Sequence, residues 1–140
     1  MFKHIMVPVD MAHEENMDRA TKAAADMAKL YDARLTMVSI SGGPLASKEH
    51  SSRTSPRMVE DYAREQGETH GIEIGTHVLD AHDVSVDIDR KLLEAIEKME
   101  ADLVVMATHQ PGWLDYLVNS HGGRLASHAP ISVLVVRNPD

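Results

Sequence analysis

Five short apolar runs constrain this chain more than anything else in its 140 residues. Ile5-Met6-Val7-Pro8-Val9-Asp10, Leu35–Ile40, Leu103–Ala107 and Val133–Val136 are too brief for helices, and neither of their faces is polar. That is the pattern of strands covered on both sides in a parallel sheet. Ile72–Leu79 alternates instead and belongs nearer a sheet edge. Between the runs, apolar residues recur at helical spacing. The first helix spans about Glu14 to Tyr31 through Met17, Ala20, Ala24, Met27, Ala28 and Tyr31, with Glu14 and Glu15 at its positive end. A second spans Met58 to about Thr69 and stops near Gly71. A third carries its stripe on Ile88, Leu92, Leu93, Ile96 and Met99 after an acidic approach from Asp83 to Asp89. A short fourth runs from about Ser120 to His128, and the last strand from Ile131 to Val136. Strands alternating with helices imply right-handed crossovers and an α/β, doubly wound, five-stranded parallel sheet. The expected strand order is 3-2-1-4-5, which puts a topological switch point between strands one and four. A ligand then sits beyond their carboxyl ends, where Asp10 and Ala107-Thr108-His109 fall side by side. Pro8 has no N–H and should sit where its strand leaves the ladder.

The last third of the chain has the makings of an anion cradle. A buried strand ends in Ala107-Thr108-His109, and the return through Asn119-Ser120 opens a helix whose free N–H groups and dipole face one place. Ser120 suits both an N-cap and a phosphate contact. Trp113, the single tryptophan, either covers that site or packs at a surface. Residues 41–55 are rich in Ser, Gly and charge with little to bury. They read either as a lid or partner-contact loop or as a solvated insertion.

Composition narrows the function classes. The apolar share of 43% supports a core, and with aromatics at 4% that core is built from Val, Ile, Leu, Ala and Met. The nine methionines read as gap fillers. A formal charge of −8 lacks the basic footprint of nucleic-acid binding. There is no cysteine for disulfide or thiol chemistry. No run approaches the roughly 20 residues of a membrane span, and the amino terminus enters a strand without a signal-peptide core. The expectation is one cytoplasmic domain over residues 1–140. Among nine histidines, His77 and His82 flank a strand end and His121 and His128 share a helix, but no H-E-x-x-H or i, i+4 pair suggests a metal site.

Three stretches resemble the universal stress protein family, and the resemblance covers nearly the whole chain. They are Phe2-Lys3-His4-Ile5-Met6-Val7-Pro8-Val9-Asp10, then Ala101-Asp102-Leu103-Val104-Val105-Met106-Ala107-Thr108-His109, then Ser127-His128-Ala129-Pro130-Ile131-Ser132-Val133-Leu134-Val135-Val136-Arg137. The resemblance implies a Rossmann-like fold of the adenine nucleotide alpha hydrolase type. Nucleotide-binding members carry G-x-x-G, nine residues, then G-S or G-T around the phosphates. Here Ala107 and Gln110 replace the two glycines, and Asn119-Ser120 replaces the final pair one residue early. Pro111 and Tyr116-Leu117-Val118-Asn119-Ser120 are similar to the F- and G-type branch, whose members bind ATP without the second glycine.

By resemblance, the cofactor is ATP, with Mg²⁺ travelling on it. Asp10 approaches the adenine or ribose, Pro8 and Val9 line the adenine slot, and Ile40 packs on the base. Met106 and Ala107 flank base and ribose, while His109 lies near the phosphates. Gln110 can reach a phosphate without adding charge, and Asn119 tolerates the turn that glycine would make. Ser120, His121 and Gly122 offer contacts and N–H groups to the phosphates. No catalytic residue is expected. Hydrolysis needs a placed base and charge on the γ-phosphate, and no lysine stands near the cradle. The implied role is a nucleotide-dependent regulatory module, read by an unidentified protein partner. The competing reading is a dimeric scaffold of the same fold without nucleotide. A phosphoacceptor receiver fits poorly, since Met11 follows Asp10 and the last strand ends at Val136-Arg137. A flavin carrier lacks aromatic stacking partners. The apolar last strand, Ile131–Val136, is an edge in this order, and pairing with its copy across a two-fold would hide it, so a homodimer is expected.

Overall fold

The computed structural model describes residues 1–11, 14, 17–41, 55–80, 84–107 and 129–137. In chain order these form β1 (His4–Pro8), α1 (Asp18–Tyr31), β2 (Arg34–Ser41), α2 (Pro56–His70), β3 (Ile74–Asp80), α3 (Val84–Met99), β4 (Leu103–Ala107) and β5 (Ser132–Val136). The strands make one parallel sheet in the order β3-β2-β1-β4-β5, with helices on both faces, as the alternation of runs implied. The fourth expected helix, Ser120–His128, and most of the loop 41–55 lie outside the described residues.

Helix ends follow local chemistry. Ser55 caps α2 by accepting from the Met58 N–H at 3.3 Å, and Pro56 follows at the first helical position, where its missing N–H costs nothing. The helix therefore starts two residues earlier than its apolar stripe. It closes at Gly71, φ 67°, in the left-handed conformation favoured by glycine. α1 ends the same way on Asp32, φ 53°, whose N–H reaches Ala28 O. At its other end α1 begins at Asp18 rather than near Glu14, with Met17 as a cap that makes no side-chain bond. α3 takes in much of the acidic approach, starting at Val84.

The inward face of α1 is Ala20, Thr21, Ala24, Ala25 and Ala28. Small side chains let this helix lie close on the sheet, where it packs on β1, β4, β5 and β2 and touches α2. α2 covers β3 and β2. The right-handed crossover from β3 to β4 carries α3 to the opposite face. Methionine fills the seams: Met6, Met17, Met37 and Met106 have essentially no exposed surface. The central strands β1 and β4 are buried along their whole length, whereas β3 and β5 are partly exposed, as edges must be.

Two backbone devices hold the frame. The Asp102 carboxylate accepts from the Lys3 N–H at 2.8 and 3.1 Å and the His4 N–H at 3.1 Å, while its own N–H donates to His4 O at 2.9 Å. This clamp joins strands distant in sequence. Burial pushes the Asp102 carboxyl up, but the N–H groups of His4 and Lys3 and the neighbouring His4 outweigh it and hold the group below the usual carboxylate range. A folded value below the unfolded one contributes stability above the unfolded value and loses it as pH falls through the folded one. The second device is Gly67, whose carbonyl accepts from Gly71 and Ile72 at the end of α2. A Cβ there would stand 2.6 Å from Ile72 O.

Asp102→Asn should lower stability at neutral pH by about 1–2 kcal/mol. It should also flatten the loss of stability below about pH 4, read by urea unfolding across pH. Gly67→Ala should cost about 1–3 kcal/mol by forcing the α2–β3 turn apart, seen as a lower denaturation midpoint with an unchanged slope.

Candidate functional site

The switch point has a physical cause in Pro8. β1 pairs with β2 from His4↔Arg34 to Pro8↔Val38, and β4 pairs with β5 from Leu103↔Ser132 to Ala107↔Val136. Between β1 and β4 the ladder consists of Ile5↔Leu103 and Met6↔Val104. The Val9 N–H donates to Val38 O at 2.8 Å and so faces β2. Backbone groups alternate sides along a strand, so the Pro8 nitrogen faces β4, and it has no hydrogen to donate. The two central strands are held together at their amino ends by the Asp102 clamp, and their ladder ends short of their carboxyl ends.

Side-chain parity sorts the candidate residues onto two faces. The His4 ring lies on the α3 side of the sheet. Its Nδ1–H donates to Met99 O at 2.8 Å, because a carbonyl can only accept, and the Thr36 hydroxyl donates to its Nε2 at 2.8 Å. Side chains alternate along each strand, and the register carries this assignment across the sheet. Pro8, Ile40 and Met106 therefore share the α3 face, near the carboxyl ends of β1, β2 and β4. Val9 and Ala107 project to the α1 face. All are buried: Val9 has no exposed surface, Met106 and Ala107 have 1%, Ile40 has 4% and Asp10 has 6%. Asp10 is the one ionisable group among them. A carboxylate buried at a strand end needs hydrogen-bonding partners, and Asp10 is not without one.

The structure thus brings Pro8, Asp10, Ile40 and Met106 to one end of the sheet. It turns the side chains of Val9 and Ala107 towards the other helix layer. The residues expected near phosphates, His109, Gln110, Asn119, Ser120, His121 and Gly122, lie outside the described residues. A cavity of about 400 Å³ lies elsewhere, between α2 and β3, lined among others by Ala63, Gly67, Ile72 and Ile74. Among the described residues no cluster of His, Asp or Glu could hold a metal ion, and no helix is long and apolar enough to cross a membrane. Sequence reading passed over His4 and Asp102, which set the geometry of the switch point from its far end. The pairing of a buried histidine with a carbonyl 95 residues away leaves no local signal.

A parallel sheet in the order 3-2-1-4-5 with helices on both faces is a Rossmann-like fold. The model of the universal stress protein family matches residues 1–137, and the chain belongs to that family. It is 25% identical over 143 residues to universal stress protein G of Salmonella typhimurium, covering 98% of this chain and all of that one. It is 24% identical over 141 residues to universal stress protein A of Salmonella typhi, covering 96% and 94% of the two chains. Among solved structures, a universal stress protein in complex with cAMP superposes with a TM-score of 0.67 at 17% identity, covering 96% of this chain and 97% of that one. The universal stress protein of Archaeoglobus fulgidus in complex with dAMP gives 0.63 at 16% identity, covering 95% and 96%.

Proposed function

We propose that this protein is an ATP-binding universal stress protein, a cytoplasmic regulatory module whose nucleotide state is read by a partner protein. The supporting observation is the end of the β1–β4 ladder at Met6↔Val104, with Pro8, Ile40 and Met106 on one face and buried Asp10 at the strand end. Apolar side chains that flank a flat base, beside one carboxylate able to accept from an amine or ribose hydroxyl, suit adenosine. Adenine nucleotides in two structural relatives support the same ligand class. ATP would enter with Mg²⁺ on its phosphates, held by His109, Gln110, Asn119, Ser120, His121 and Gly122. Binding rather than turnover is the activity.

Ala107 and Gln110, in place of glycines, favour a second reading, a scaffold that no longer binds nucleotide. Parity weakens the first departure. The Ala107 methyl group points into the α1 layer, away from Pro8, Ile40 and Met106, so it takes no room from a ligand on that face.

Titration with Mg²⁺–ATP should give saturable heat. Asp10→Ala should weaken affinity about tenfold, the loss of roughly 1.4 kcal/mol, while Ala107→Gly should change it less than about twofold. Absence of heat at high protein concentration, together with no adenine nucleotide in gently purified protein, would leave the scaffold reading standing.

The proposed assembly is a homodimer through Ile131–Val136. In β5, Leu134 and Val135 are 37% and 39% exposed. Alternation along the ladders turns the Val133 and Val135 backbone groups away from β4, towards the open edge. Sedimentation at tens of micromolar should report a dimer. Val135→Pro should shift it to monomer, because it deletes an outward donor while sparing the β4 ladder.

A further inference from the structure

Among the described residues, three buried hydroxyls have no hydrogen-bond partner: Thr21 Oγ1, Ser39 Oγ and Tyr62 Oη. They come from three different elements, α1, β2 and α2. In β2, Ser39 has the parity opposite to Thr36, which bonds His4 on the α3 side, so its hydroxyl points to the α1 and α2 side. Both helices pack on β2 and on each other there.

Ideal rises per residue put the three groups at about one height. The lower ends of α1 and α2 are tied by the Lys29 ammonium donating to His70 O at 2.9 Å, and β2 starts directly after α1. From that level, Thr21 is roughly 15 Å up its helix at about 1.5 Å per residue. Ser39 is about 16 Å along its strand at about 3.3 Å per residue. Tyr62 is about 12 Å up α2, and helical side chains lean towards the helix amino end, which raises its hydroxyl further. The Tyr62 phenol is raised to about 12, chiefly by burial and further by Asp18, Glu14 and Glu65, against the adjacent Thr21 hydroxyl, which lowers it. Thr21 and Tyr62 are therefore neighbours, yet no bond of ordinary geometry joins them.

A dry arrangement would leave three hydroxyls unsatisfied in one small volume, an arrangement native cores avoid. We infer that Thr21, Ser39 and Tyr62 form a closed binding site for one internal water molecule, which bonds all three hydroxyls and ties α1, α2 and β2 together. Three polar partners are the number an internal water typically satisfies. The water serves as a fourth structural part, the one that joins the first two helices over β2.

Thr21→Val, Ser39→Ala and Tyr62→Phe each keep shape and remove one partner. With the water in place, each should lower the thermal midpoint by about 3–6 °C. The triple variant should fall no further than the worst single one, because the first loss already releases the water. On the unaltered protein, an exchange-resistant water cross-peak to Tyr62 or Thr21 by nuclear magnetic resonance is expected. Substitutions that each raise the midpoint would mean a dry pocket and overturn the proposal. Coupling confined to Thr21 and Tyr62, with Ser39→Ala neutral, would mean a direct hydroxyl pair and overturn it as well.

Discussion

The contact between β1 and β4 is the interaction on which the rest of the molecule depends. These strands are almost a hundred residues apart in sequence and neighbours at the centre of the sheet. At one end the Asp102 carboxylate grips the amides of Lys3 and His4. At the other end Pro8 presents a nitrogen without a hydrogen, and the ladder stops. The ladder between the two central strands therefore ends short of their carboxyl ends, at the switch point.

His4 extends that grip into the layers. Its two ring nitrogens are both engaged, with the last carbonyl of α3 and with a hydroxyl of β2, so a polar ring sits in the core at little cost. The opposite layer is built differently. An alanine face on α1 brings helix and sheet close, and the hydroxyls of Thr21, Ser39 and Tyr62 gather where α1 and α2 meet over β2. One side of the sheet satisfies its polar groups directly; the other calls for a water.

Much of the fold was legible because its signals are local. A short run apolar on both faces reads as a strand, and Leu103–Ala107, buried along its length, was readable to the residue for that reason. Gly71 announced the end of α2, since a left-handed residue is favourable for glycine. The start of α2 was misplaced by two residues because Ser55-Pro56 carries the capping signal outside the apolar stripe. Pro8, Ile40 and Met106 were expected at the site from the family resemblance, and their common face follows from register. The opposed facing of Val9 and Ala107 followed from register, which composition does not encode.

Periodicity, strand length and turn residues determined the α/β class and the number of described strands, because each depends on contacts within a few positions along the chain. Tertiary structure alone decided where β1 lets go of β4, which face each strand-end side chain takes, and that Asp102, His4 and Met99 meet. Those outcomes rest on hydrogen bonds and register between segments far apart in sequence. Such pairing is settled when the layers close on one another, and no stretch of the chain carries it by itself.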